Sequence, residues 1–475
     1  MKTNIKSFVM AVIIGCSALP IIAQNQLHSS YFTEGSSYRH QLNPAFAPNR
    51  GYFSMPFLGN LNFGMQSTIG LSNFIYKTEN GGLTTFMNSN ISAQEFLGGL
   101  KERNRINMNF DMNILSFGFR GFGGYNTFTV NLRNNIRMNL PKDMFAFMKE
   151  GMSSERTVYE LDNMGMNMSS FAEVGLGHTH RINDNWVVGG KLKVLLGLAQ
   201  VDMKIDHMKM TLSENEWAIE GAGEMNIAVN DLDIPTKAET GEEINNNEIA
   251  WDEIEMNSFG LGGIGATLDL GVTWKVIEDL EVSAAILDLG FIKWKNNTTG
   301  RMGMEPWSFK GFNDIAINPD ENSSNQNDIE DQLEDMGDDL EECINFGKVG
   351  ETGTRSTMLG ATLNLGAQYT LPMYKGLRFG FLSSTYINGA YSWSEGRFSA
   401  NIVPCKWFDA SVNYSISSFG SSLGWLISLH PKGFGLYIGS DYQFFKVTPQ
   451  FVPVNHVNAN INLGITFPLG KYKKI

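Results

Sequence analysis

The stretch Ile264-Gly265-Ala266-Thr267-Leu268-Asp269-Leu270-Gly271-Val272-Thr273-Trp274-Lys275-Val276 decides the fold. Its even positions are apolar, and its odd positions are Gly, Thr, Asp, Gly, Thr and Lys. Side chains of a strand point alternately to two faces, so this reads as one long strand with a greasy face and a small or polar one. The same rhythm runs through Ile106 to Ile114, Phe128 to Leu132, Leu359 to Leu371 and Ile461 to Leu469. Globular strands average about 5–6 residues, whereas a strand that crosses a bilayer needs about 9–11. The longer of these alternating runs reach or exceed that second length. An unbroken apolar face suits lipid, and a face of Asn, Thr and Gly suits a lumen. Hydrocarbon offers no water to pair with N–H or C=O, so such a sheet must close on itself. The expected fold is all-β, a transmembrane antiparallel β-barrel of about 14 strands (roughly 14 to 16), with short helices in loops or lumen.

Composition agrees with this reading. The 475 residues include 42% hydrophobic and 18% charged residues, with 50 Gly and 32 Phe. That is fewer charges than the roughly 25% of a soluble domain, yet the mean hydropathy of −0.16 is too polar for a helical membrane bundle. A net charge of −13 disfavours nucleic acid as a partner, because phosphate is repelled. Lys2 and Lys6 precede an apolar run from Phe8 to Ile22, so residues 1–23 read as a signal peptide cleaved near Ala23. Ile13-Ile14-Gly15-Cys16 also resembles a lipobox, which would lipidate Cys16, but the residues that follow stay apolar. The expected location is the cell outer membrane, with its lipid as the first partner. Cys343 and Cys405 remain in the mature chain, and whether they pair is open.

Residues 24–50 precede the first clear strand and read as a lead-in or a lumen plug, with Asn43, Pro44 and Phe46 as candidate plug residues. Pro44 and Pro48 make this segment stiff and unsuited to a central strand. The barrel then occupies 51–475, interrupted by inserts at 213–256 and 296–356. The first insert is acid-rich, with Lys237 as its single base, and 314–342 holds twelve acids without Lys or Arg. Barrels carry their long loops outside, so both inserts are expected on the outer surface. Helical spacing of Ile329, Leu333, Met336, Leu340 and Ile344 suggests a short amphipathic helix in the second, and Ala93 to Lys101 and Lys142 to Glu150 also look helical.

Several motifs do not carry the chemistry they spell. Gly260 to Gly265 matches a dinucleotide fingerprint, but a strand follows it where a helix is required. Ser422 in Gly420-Ser421-Ser422-Leu423-Gly424 lacks the strand-to-helix turn of a nucleophile elbow. His178 and His180 share a strand face but find no third metal ligand. No nucleophile–base pair or metal cluster emerges, so no enzyme activity, cofactor or metal is expected. Asp269 and Asp288 stand out as candidate lumen positions, in the repeated tetrapeptides Leu268-Asp269-Leu270-Gly271 and Leu287-Asp288-Leu289-Gly290. Asp269 falls on the polar face. Asp288 falls on the apolar parity of Val282, Ala284, Ile286, Ile292 and Trp294, and a bulge between Ala285 and Asp288 would turn it inward. Trp186, Trp274, Trp294, Trp407 and Trp425 are candidates for interfacial belts.

Asn43-Pro44-Ala45, Gly175 to Asn183, the two Leu-Asp-Leu-Gly tetrapeptides with Phe291 to Trp294, and Gly439 to Tyr442 together resemble an outer-membrane barrel family of the Bacteroidota type, a domain of unknown function. More distantly the chain is similar to FadL-like fatty-acid transporters and PorV-like secretion barrels. The FadL resemblance implies 14 strands, an N-terminal hatch and a lateral route for hydrophobic molecules. The PorV resemblance implies docking of exported proteins. The expected function is therefore transport of small hydrophobic molecules across the outer membrane. The alternatives are a barrel that binds exported or surface proteins through its acidic loops, and a plugged structural barrel.

Overall fold

The computed structural model describes residues 27–78, 82–151, 157–213, 216–241, 247–302, 307–309, 345–350, 353–443 and 456–470. The signal peptide with Cys16, the helix expected at 329–344, the acidic run 314–342 and Cys343 lie outside the described residues.

One antiparallel sheet closes into a barrel of 14 strands. In chain order these are β1 (Gly51–Ser54 continued by Leu61–Gly70), β2 (Arg103–Gly121), β3 (Gly124–Pro141), β4 (Met164–Arg181) and β5 (Trp186–Leu212). β6 is made of Trp217–Val229 and Gly263–Ile277, which lie end to end beside β5. β7 follows (Leu280–Met302), and β8 is assembled from Phe346–Lys348, Gly353–Met358 and Ala361–Thr370. β9 (Leu377–Ile387), β10 (Trp393–Cys405), β11 (Phe408–Ser417), β12 (Gly420–Leu429), β13 (Gly435–Gln443) and β14 (His456–Leu469) complete the wall. β14 pairs back onto β1, so no edge remains to aggregate.

Alternation builds the wall as anticipated. Leu268 and Leu270 are 38% and 46% exposed on the outside, while Thr267 and Asp269 are buried inside. The outer surface is accordingly a band of Leu, Ile, Val and Phe, and the fold is an outer-membrane-type barrel. At one end the strands are joined by tight turns, such as Phe122-Gly123 and Glu278-Asp279. At the other end Ser418-Phe419 is again a tight turn, but other connections are long. They carry α1 (Ala93–Gly98) and α2 (Lys142–Glu150), whose Phe96 and Phe145 pack with Ile69 and Phe86. Both acidic inserts leave the barrel at this long-loop end. Trp217–Val229 and Asn296 to Met302 belong to the wall itself, as does Gly353–Met358, and so the inserts are shorter than their acidic composition suggests.

Two details differ from the parity of the sequence. β7 changes phase at Leu287–Asp288, so that Ser283, Ala285 and Leu287 face inward before the change, and Asp288, Ile292 and Trp294 after it. Trp294 is therefore not a belt residue: it is fully buried and donates its indole N–H to Thr357 Oγ1 at 2.8 Å. Trp186 and Trp274 do stack on the outside near the short-turn end, with centroids 5.3 Å apart.

Candidate functional site

The lumen holds residues 27–50. Its own backbone hydrogen bonds are confined to turns, among them two short 3-10 turns at His28–Ser30 and Arg39–Gln41 and the bonds from Thr33, Ser36 and Phe46 to carbonyls three residues back. Other polar groups of its backbone are satisfied by the wall, as buried backbone must be. The Asp441 carboxylate of β13 accepts the N–H groups of His28 and Ser29, each at 2.7 Å, and also the Ser29 hydroxyl. Asp409 of β11 accepts the N–H of Gly35 at 2.8 Å. Asn364 of β8 donates to the Leu42 carbonyl at 3.0 Å. Asn43 folds its side-chain oxygen back onto the Ala45 N–H at 2.9 Å and donates to the carbonyls of Val272 and Ala284. The Pro44 carbonyl accepts from Thr179 Oγ1 at 2.7 Å. Phe46 packs with Tyr31, Phe32, Leu42 and Leu382, and Arg39 lies 4.2 Å over its ring.

Gly189 and Gly271 let this approach happen. A Cβ at Gly189 would collide with the Pro44 carbonyl, and one at Gly271 with the Asn43 side chain. His40 is buried and shares a 2.7 Å hydrogen bond with the Tyr52 hydroxyl. Burial, with Lys191 and Lys193 nearby, holds its imidazole well below the usual range.

Asp269 and Asp288 meet in the lumen. Leu268 faces Leu289 and Leu270 faces Ile286, so Asp269 stands opposite two residues of β7, Leu287 and Asp288. The extra residue is a bulge, with Asp288 at φ 59°. Asp269 Oδ1 accepts the Asp288 N–H at 2.8 Å. Lys193 Nζ lies between the two carboxylates, at 2.7 Å from Asp269 and 2.6 Å from Asp288. Arg133 reaches Asp288 at 2.9 Å, Glu173 at 3.2 Å and Asp111 at 3.6 Å. Lys191 lies 3.7 Å from Glu173. Four carboxylates and three cations thus close a buried ionic cluster. A second such cluster, Glu395, Arg397 and Asp441, holds the start of the lumen segment, with His28 3.2 Å from Glu395.

Sequence reasoning missed Arg133, Glu173, Lys191 and Lys193. Their signal was present as charges on the inward parity of long strands. A strand pattern alone does not say which inward charges of different strands share a level.

Toward the long-loop end from the ionic cluster lies a small chamber of about 50 Å³. Arg137, Asn167 and Gln200 form part of its wall, and Phe171, Ile292, Trp294 and Leu359 form another. Beside it the ladder between β7 and β8 is disturbed. Leu287 pairs Thr362 and Phe291 pairs Met358, but between them Gly360 sits at φ 86° and one 3.2 Å bond, from Leu359 N–H to the Gly290 carbonyl, bridges the strands. A larger cavity of about 430 Å³ opens at the short-turn end, between residues 34–38 of the lumen segment and the wall near Arg378, Asp409 and His430.

A family model described as a family of unknown function (DUF5723) matches residues 44–441. The chain belongs to this family. Its match spans the wall from before β1 into β13, including both Leu-Asp-Leu-Gly tetrapeptides. No curated protein matches the chain. Among solved structures, it is similar to the toluene transporter TbuX of Ralstonia pickettii, at 9% identity over 91% of this chain and 94% of that one, with a TM-score of 0.39. A Pseudomonas aeruginosa FadL homologue matches at 8% identity over 95% and 100% of the two chains, TM-score 0.39. The translocator domain of the autotransporter NalP from Neisseria meningitidis matches at 6% identity over 88% of each, TM-score 0.33.

Proposed function

We propose that this barrel sits in the outer membrane with its long loops outside and passes small hydrophobic molecules, residues 27–50 acting as a plug. The observation that carries this reading is the chamber beside the disturbed β7–β8 ladder. It has an apolar side, Phe171, Ile292, Trp294 and Leu359, next to the polar Arg137, Asn167 and Gln200. A solute reaching it would meet the plug and the ionic cluster toward the short-turn end. The adjoining ladder is weak, with Gly360 and the Asp288 bulge on opposite strands, and sideways release into lipid is the cheaper exit. The plug is bonded to many strands by ordered partners, which favours a route that leaves it in place.

The test is entry of an aromatic hydrocarbon into vesicles whose outer leaflet is lipopolysaccharide. The intact barrel should accelerate entry, and Gly360→Trp, which crowds Tyr386 beside the ladder gap, should slow it, with folding of the strained variant checked by its gel mobility before and after heating. Equal rates with and without the barrel would remove transport as the function, and no effect of Gly360→Trp would remove the sideways exit.

A further inference from the structure

Arg137 is buried, at 7% exposure, with unusually little to neutralise it. Its guanidinium has five N–H donors. It makes one long hydrogen bond, 3.4 Å to Asn167 Oδ1, and lies 4.8 Å over the Tyr386 ring. Among the described residues no carboxylate forms an ion pair with it. The acid that lines the chamber, Asp288, and two acids outside its lining, Asp111 and Asp202, are engaged by other cations, Asp111 by Arg133 at 3.6 Å. Asp202 is held by Arg355 at 2.6 Å and by Asn167 Nδ2 at 3.2 Å, and Asp288 by Lys193 and Arg133. A buried charge without a counter-charge is strongly unfavourable, and a ring face offsets only part of that cost.

Gln200 lines the same chamber and adds an independent sign. Its Oε1 accepts from Arg355 at 3.5 Å, which orients the amide, and its Nε2 is buried with no hydrogen-bond partner. Two donors, one of them cationic, therefore border one small space whose acceptors leave them largely unfilled: Asn167 Oδ1 takes one Arg137 N–H, and the Asp288 carboxylate that also lines the space is held by Lys193 and Arg133. We infer that Arg137 and Gln200 form a binding site for one compact anion, a carboxylate or a group of similar size and charge. The chamber volume of about 50 Å³ admits such a group but not a long alkyl chain. The apolar wall opposite, Ile292 and Trp294, disfavours a hydrated cation and tolerates a small apolar substituent. The anion is either free or the charged end of a larger solute, and the site stands whether or not solute crosses the barrel.

Equilibrium dialysis of the full-length barrel in detergent with radiolabelled acetate tests it. One acetate per barrel is expected, displaced by chloride. Arg137→Met should weaken binding roughly tenfold or more, because a charged hydrogen bond is lost, and Gln200→Leu by a few-fold. Arg137→Lys, which keeps the charge, should retain part of the affinity, and serves if the Met variant does not fold. Lys375→Met, which removes a distant charge in a turn, should change nothing. Folding of each variant is checked by its gel mobility before and after heating. Comparison with hexanoate separates the sources: equal affinity means a free anion, and a marked gain that also needs Arg137 means the charged end of a larger molecule. Acetate binding that is absent, or undiminished in both Arg137 variants, overturns the site. Neither result touches hydrocarbon entry, which is measured separately.

Discussion

Lys193 occupies the position where two buried carboxylates of neighbouring strands converge, within 2.7 Å of each. Removing one partner of a buried ion pair leaves charge uncompensated, which costs more than the pair is worth. Lys193→Met is therefore expected to lower barrel stability by about 3–5 kcal/mol. Denaturant unfolding in micelles measures this, and a change under 1 kcal/mol, within about the range of exposed pairs, would show the cluster to be solvated. His40 gives a prediction in pH. Its folded value is depressed by burial and by Lys191, so the neutral ring packs and the charged ring does not. The stability it carries is present above the unfolded value, roughly 6.5, and is lost as pH falls below that toward the folded value. Between pH 7 and pH 5 the unfolding midpoint should fall further in the natural protein than in His40→Gln. Parallel curves would remove His40 from the account.

At the scale of elements, the wall and the lumen segment are fitted to each other at the glycines. Gly189 of β5 leaves room for the Pro44 carbonyl, so Gly189→Leu must displace residues 43–46 or strain β5. A cost of about 1–3 kcal/mol is expected, as for overpacking. Faster protease cleavage within 27–50 should accompany it, and cleavage at the natural rate would mean that the segment does not rest there. β7 shows where local pattern stops being informative. The periods of Val282 to Ile286 and of Ile292 to Trp294 look continuous in the sequence. The bulge between them reverses which face each half presents. Asp288 is legible as a conflict, a charge on an apolar parity, and that conflict marks the bulge. Trp294 carries no such mark, because an indole suits lipid and lumen alike.

For the whole molecule, the barrel has lipid as its outer solvent, and penalties should follow depth. Leu270→Arg, facing outward from the middle of β6, should destabilise by about 2–4 kcal/mol, and Val276→Arg near the short-turn rim by about 0–1. Unfolding of both variants from vesicles checks the gradient. Equal costs would mean that the apolar band does not face hydrocarbon.

The sequence by itself determined that the chain alternates, that its strands are long enough to cross a bilayer, and that they must close, because unpaired backbone is intolerable in hydrocarbon. It also marked Asp269, Asp288 and Asn43-Pro44 as unusual. Only the tertiary structure decided what stands beside them. Period two assigns a side chain to a face, but the register between strands assigns it a height. The meeting of Lys193 with two aspartates, the chamber by Arg137 and the seat of Pro44 against Gly189 all depend on height.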